Sequence, residues 1–367
     1  MDNMQGWEGR TEVESWLREV GHYYAGSLAD IDWKKGAMSL IDCQMNEDPV
    51  PLRRIQGLVC AAIQLSASFV CNTTFSLETL SELTNHAFSA KCIRNHVHGL
   101  LYCMGGKVSV SSLHNMYYLA KGNSAVYAAT IDDGSNAADV VVKLFRRSVP
   151  SQGMLKQLLA TSVLEHDNIS KLIGVVAARE GYGLVSPLYK HTFDDFCKHG
   201  PDGGAQLKAV LQLLNAMAYS HAEEVVHLDL KTDNIMFDDG FNLIVNDWDS
   251  SQKIGIDACT SFPIVTANFR APEACMEEQG CSLLALDVWS IGCIIIAIAN
   301  GGRPPWPGVI DIVAWVDDGG EPARIPGIMA VKHAMGSEVA RAAQAMLRVV
   351  ASERPSVADV LSMVSNL

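Results

Sequence analysis

The chain has 367 residues, more than the roughly 100–200 expected of one domain, so its length predicts two domains. Hydrophobic residues make up 49% and charged residues 19%, which excludes an intrinsically disordered chain. The formal net charge is −13 and no stretch concentrates Lys or Arg, which argues against nucleic acid or an anionic membrane as partner and for a protein or a nucleotide.

The opening "MDNMQGWEGRTEVE" lacks the basic-then-apolar order of a signal peptide. Ten cysteines are scattered without CxxC pairs or Cys/His ligand spacing, the pattern of reduced thiols in an intracellular protein. The most apolar windows, "GLVCAAIQLSASFV" and "IGCIIIAIA", fall short of the roughly 20 residues of a membrane span and read as buried core helices.

Up to about residue 108, helical periodicity dominates. "TEVESWLREVGHYY" sets Val13, Trp16, Leu17, Val20 and Tyr24 at helical spacing, and "GAMSLIDCQM" continues in kind. "PVPLRRIQGLVCAAIQLSASFV" opens after prolines and carries a broad apolar face. "SLETLSELTNHA" and "SAKCIRNHVHGLLYCM" complete five helices, the last stopped at Gly105 and Gly106. The stretch "GGKVSVSS" then reads as a tether of about eight residues.

Beyond it, "NMYYLAKGNSAVYAATID", "DVVVKLF" and "YGLVSPLY" are β-branched and aromatic runs broken by glycines, which predicts strands. Helical periodicity returns after about Gln206. A strand-rich lobe followed by a helical lobe is α+β, and no repeat has a solenoid period.

Within the helical part, "HLDLKTDNIMF" resembles the catalytic loop of protein kinases, and further motifs follow in the family's order. "VVVKLF" resembles the third strand, "LEHDNI" the segment after the αC helix, and "LIVNDWD" the D-F-G region. "TANFRAPE" is similar to the end of the activation segment and "LDVWSIGC" to the buried helix after it, with Arg354 in "ASERPS" as the usual partner of Glu273. The resemblance implies a two-lobe kinase domain at 111–367, with an N-lobe at about 111–187 and a C-lobe at about 188–367.

It also implies ATP and Mg2+ as cofactors and proteins as substrates. Carried over position by position, Asp229 orients the substrate hydroxyl, Lys231 neutralises the moving phosphoryl, and Asn234 and Asp247 offer oxygens to Mg2+. Lys143, Gly122, Val126 and Gln157 fall on the nucleotide-binding positions.

Departures from the pattern bear on activity. "LAKGNSAVY" keeps one of three expected glycines, Gly122, and Gln157 stands where the αC glutamate belongs, beside Lys156. A glutamine can still accept a hydrogen bond from Lys143, but without the charge. Asp249 replaces the D-F-G glycine, which predicts a loss of easy positive φ. Leu228 replaces the arginine that would receive a phosphate on Thr260 or Ser261, which weakens that route of control. These losses support the alternative of a pseudokinase acting as a binding scaffold.

"IVTANFRAPE", "DVWSIGCI" and "SVPSQGMLKQ" are similar to strings of the cyclin-dependent kinases. In the first half, "WLREVGHYY", "LIDCQM", "IQGLVCAAIQLSASF" and "ELTNHAFSAKCIRNHVHGLLY" resemble the successive helices of a cyclin box. The cyclin's polar grip on its kinase falls on Ser68 and His96, neither of which reproduces it. The combined expectation is an all-α five-helix cyclin-like domain at 1–110 ahead of a kinase domain that phosphorylates Ser or Thr. The box would activate its own kinase in cis, or that of a second chain.

Overall fold

The structure is a computed structural model, and it describes residues 107–121, 124–132, 137–145, 152–178, 181–254, 266–275 and 282–365. The five helices expected in the first half, Gly122, Thr260 and Ser261 lie outside the described residues. The chain divides into two compact units. One comprises residues through Ser162 together with Leu172–Leu188, and the other Val163–Lys171 with Tyr189–Leu367.

The first unit is built on an antiparallel sheet. Its strands are β1 (Leu113–Lys121), β2 (Ala125–Asp132), β3 (Ala137–Phe145), β4 (Gly174–Ala178) and β5 (Gly181–Pro187), hydrogen-bonded in the order β1-β2-β3-β5-β4. The period of two is clearest in β3, where Val140 and Val142 are buried on one face while Val141 and Lys143 are half-buried on the other. Val140, Val142, Val176, Val185 and Ala129 form an apolar cluster on the first face. Gly183 on β5 allows its density, since a Cβ there would lie 2.7 Å from Val176 Cγ1 and 3.1 Å from Val142 Cγ1.

Between β3 and β4 runs helix α1 (Gln152–Val163), which buries Met154, Gln157 and Leu158. The start of the chain's described part also belongs to this unit. Lys107 makes a parallel bridge to Val175, and Val108 joins the apolar cluster. A single 3-10 turn, Val110–Ser112, then leads into β1. Of the eight residues expected as a free tether, Lys107 to Ser112 are therefore fixed to the sheet.

The second unit is mainly helical. Short strands β6 (His191–Thr192), β7 (Val225–Val226), β8 (Ile235–Phe237), β9 (Leu243–Val245) and β10 (Gln252–Lys253) frame its loops. Its helices are α2 (Phe193–Lys198), α3 (Gly203–Ala222), α4 (Pro272–Cys275), α5 (Leu283–Ala299), α6 (Val309–Asp317), α7 (Ile328–Met335), α8 (Ser337–Met346) and α9 (Val357–Val364). Capping residues set the starts: Asp202 accepts the Ala205 N–H at 2.8 Å ahead of α3, and Thr192 and Asp195 form a capping box on α2.

Helix α5 carries the "IGCIIIAIA" window, and Ile291 to Ile298 are all buried. Gly292 lets α5 approach the C-terminal end of α8, because a Cβ would sit 2.8 Å from Leu347 Cγ. No described helix is long and apolar enough to cross a membrane. Arg354 locks the end of this unit to its middle: it donates to both carboxylate oxygens of Glu273 at 2.7 Å and lies 5.0 Å above the Trp289 ring.

Candidate active site

In the second unit, the segment after β7 is held by one buried carboxylate. Asp287 of α5, 1% exposed, accepts the backbone N–H of His227 at 2.8 Å and that of Leu228 at 2.9 Å. Its Oδ2 also lies 3.0 Å from His221 Nε2 at the end of α3. His227 is fully buried, packs 4.6 Å from the Trp248 ring, and its Nε2 is 3.0 Å from the Asn246 carbonyl. Leu228 takes a left-handed conformation, φ 65°, which a branched side chain adopts at a cost of about 1–2 kcal/mol. The two bonds to Asp287 hold it there.

This turn presents Asp229. Its Oδ2 accepts from Lys231 Nζ at 2.7 Å, while Oδ1 accepts from Thr266 Oγ1 at 2.9 Å and from the Thr266 N–H at 3.3 Å. Lys231 Nζ also donates to Thr266 Oγ1 at 3.2 Å, which closes a three-membered ring of contacts. The Asp229 and Lys231 side chains are 15% and 21% exposed, sheltered yet reachable. Asn234 in the next turn donates through Nδ2 to the Asp229 carbonyl at 2.8 Å. The same Nδ2 lies 3.5 Å from Asp229 Oδ2. The backbone of Asn234 ties the next strand in, its carbonyl accepting the Asn246 N–H at 2.9 Å.

One residue further, Asp247 has φ 60° and ψ 69° and caps a 3-10 turn, Trp248–Ser250. Trp248 is fully buried. Asp249 lies inside that turn, and the positive φ falls on Asp247 instead. The expected penalty for replacing glycine at 249 therefore does not arise in this conformation, since a 3-10 turn is open to any residue.

The structure thus brings Asp229, Lys231 and Asn234 together in the second unit, with Asp247 after β9 joined to them through the Asn234–Asn246 bond. Lys143, Val126 and Gln157 lie in the first unit. Val126 and Lys143 are direct partners in the β2–β3 register and share a sheet face. Lys143 Nζ is 5.6 Å from the centroid of the Phe145 ring. On α1, Gln157 is buried at 9% exposure while Lys156 is half-buried, and among the described residues Gln157 Oε1 has no hydrogen-bond partner.

Two residues of this centre were not singled out from the sequence. Thr266 sits inside the quoted "TANFRAPE" and Asp287 inside "LDVWSIGC", and no local signal in either string marks them. Thiol chemistry is remote: burial raises Cys275, pushes Cys197 up to about 11 and takes Cys293 higher still, so these three stay protonated at neutral pH.

The donor set suits a small hard cation between phosphates. An amide oxygen and a carboxylate are oxygen ligands of the type Mg2+ takes, in a number that leaves room for phosphate oxygens and water. Among the described residues there is no cluster of three or more His, Cys, Asp or Glu that would favour a softer metal.

A sheet-based unit carrying the half-buried Lys143 on β3, and a helical unit whose loops gather Asp229, Lys231 and Asn234, define a phosphotransferase of α+β build. The family model described as "Protein kinase domain" matches residues 119–364, more than half of the chain. The chain belongs to the protein kinase family, whose domains use ATP and Mg2+ and act on protein substrates.

Proposed function

We propose that this protein is an active serine/threonine kinase of the cyclin-dependent type, with residues 1–110 forming a cyclin box that activates the kinase domain. The observation that carries the catalytic part is the intact ring of Asp229, Lys231 and Thr266. In this reading Asp229 receives the substrate hydroxyl, orients its lone pair and takes its proton at a carboxylate oxygen. Lys231, bonded to that carboxylate, keeps it oriented and places a positive charge beside the path of the phosphoryl group. Asn234 Oδ1 and the Asp247 carboxylate would hold Mg2+, and Lys143 and Val126 would hold the nucleotide's phosphates and base side. When bound, Mg2+ neutralises charge on the phosphate oxygens.

Ser/Thr preference is supported by the loop sequence "HLDLKTDN", which resembles the Ser/Thr group, and by the Thr266 hydroxyl at the carboxylate. The cyclin-dependent assignment and the cyclin box rest on the sequence resemblances. The pseudokinase alternative draws on Gln157, whose buried oxygen has no partner among the described residues where the family has an ion pair.

The test is a transfer assay of the purified chain with labelled ATP and Mg2+, followed by identification of the phosphorylated amino acid. Label on Ser or Thr supports the reading. Label on Tyr overturns the Ser/Thr assignment. No transfer, with a raised melting temperature in ATP and Mg2+, favours the pseudokinase.

A further inference from the structure

We propose that residues 1–106 dock on their own kinase domain, beside β4, and that Lys107 to Ser112 form the strap that holds them there. The inference rests on where the chain enters the sheet, and it does not depend on whether residues 1–106 form a cyclin box.

β4 ends the sheet on one side and β1 on the other. Lys107 pairs in parallel with Val175 on the side of β4 not used by β5, and the Val108 N–H donates to the Val175 carbonyl at 2.9 Å. Val108, 7% exposed, packs with Val142, Val176 and Val185. The turn that follows is stitched by its own serines. The Ser109 carbonyl accepts the Ser112 N–H at 3.1 Å and the Ser112 hydroxyl at 2.7 Å, and Ser109 Oγ accepts the Ser111 N–H at 3.3 Å. Leu113, the first residue of β1, packs against the same apolar cluster from the opposite edge. The strap therefore starts at one edge of the sheet, anchors a buried valine on its apolar face, and ends at the other edge.

A free tether would let the first hundred residues wander over tens of ångströms. With Lys107 paired, the link left before it is Gly105–Gly106, which spans at most about 7 Å. Whatever residues 1–104 form thus starts within one or two side-chain lengths of β4. At such a distance the local concentration is millimolar or higher, so even a weak apolar contact is occupied. The surface on offer carries an apolar anchor: Ile173, immediately before β4, is 39% exposed while its N–H is fixed to the Val185 carbonyl at 2.8 Å. The segment that must reach it has the periodic apolar faces noted above, and those faces need a partner.

The test uses the full chain with a specific protease site inserted between Gly105 and Gly106, cut after purification and passed over a sizing column at micromolar concentration. Cutting leaves the strap on the kinase side, so retention reports docking alone. The expected result is co-elution of the two pieces at the mass of one uncut chain, 39.7 kDa. Separation of the pieces overturns the docking. Co-elution at twice that mass, with the uncut chain also dimeric, overturns docking in cis in favour of exchange between two copies. Amide exchange on the uncut chain checks the strap: the Val108 amide should exchange at least about 100-fold more slowly than those of Gly105 and Gly106. Equal rates would overturn the strap.

Discussion

Thr266 makes three hydrogen bonds at the Asp229 carboxylate and the Lys231 ammonium, and each involves a charged group. Bonds to charged groups are worth about 1.5–3 kcal/mol, so removing its hydroxyl should slow transfer by roughly 10- to 100-fold. Thr266→Val keeps the shape and the backbone N–H, and should reduce kcat with little change in melting temperature. An unchanged kcat would show that Lys231 alone orients Asp229. Gln157 tests the other unit. Its buried oxygen lacks a partner among the described residues, and a carboxylate in its place would form a charge-assisted bond with Lys143 about twice as strong as a neutral one. Gln157→Glu should raise turnover roughly 3- to 10-fold; a fall would mean that α1 stands too far from Lys143 for the pair to form. The grouping of Asp229, Lys231 and Asn234 was legible in the sequence because their spacing along one loop is local. Thr266 and Asp287 were not, because their contacts span 37 and 60 residues and nothing local marks them.

Among the elements, α5 supports the site most directly. Its apolar run buries it on all sides, and Asp287 is the polar group through which it holds the backbone of His227 and Leu228. Such a run cannot be told from a short membrane segment by hydropathy, and its length alone pointed to the core. The Glu273–Arg354 pair fixes α4 to the chain just before α9 and is almost fully buried. Breaking a buried pair leaves an uncompensated charge, at a cost of about 3–5 kcal/mol. Arg354→Met should lower stability by that amount in urea unfolding, and adding Glu273→Gln should recover part of it. Equal stability of the single variant and wild type would contradict the role given to the pair. The D-W-D segment shows where sequence reasoning misplaced strain: Asp249 sits in a 3-10 turn, and the left-handed position is Asp247, two residues earlier. Which residue of a turn takes positive φ depends on the backbone around it and is not written in composition.

At the scale of the whole molecule, the change from helical to strand-rich texture near residue 108 was readable from periodicity, but the attachment of Lys107 and Val108 to β4 was not. A bridge between residues 107 and 175 is a long-range pairing, and "KVSVSS" has the composition of a linker. The strap bears on how the kinase domain should be isolated: a fragment beginning at residue 111 would lose Val108 from the apolar cluster, whereas one beginning at Lys107 keeps it. If the first half activates the kinase as a cyclin box, residues 107–367 alone should lose most activity, and residues 1–106 added in trans should restore it. Full activity of the fragment alone would sink cis activation while leaving the catalytic assignment untouched.

The catalytic assignment itself is tested by phosphoryl transfer from labelled ATP, with Mg2+, by the wild-type chain and by Asp229→Asn prepared side by side. General-base groups contribute about 10²- to 10⁴-fold, so the variant should lose activity by that factor while keeping a melting temperature close to wild type. Equal transfer by the two proteins would contradict the account, because it would mean that Asp229 does not act on the substrate hydroxyl.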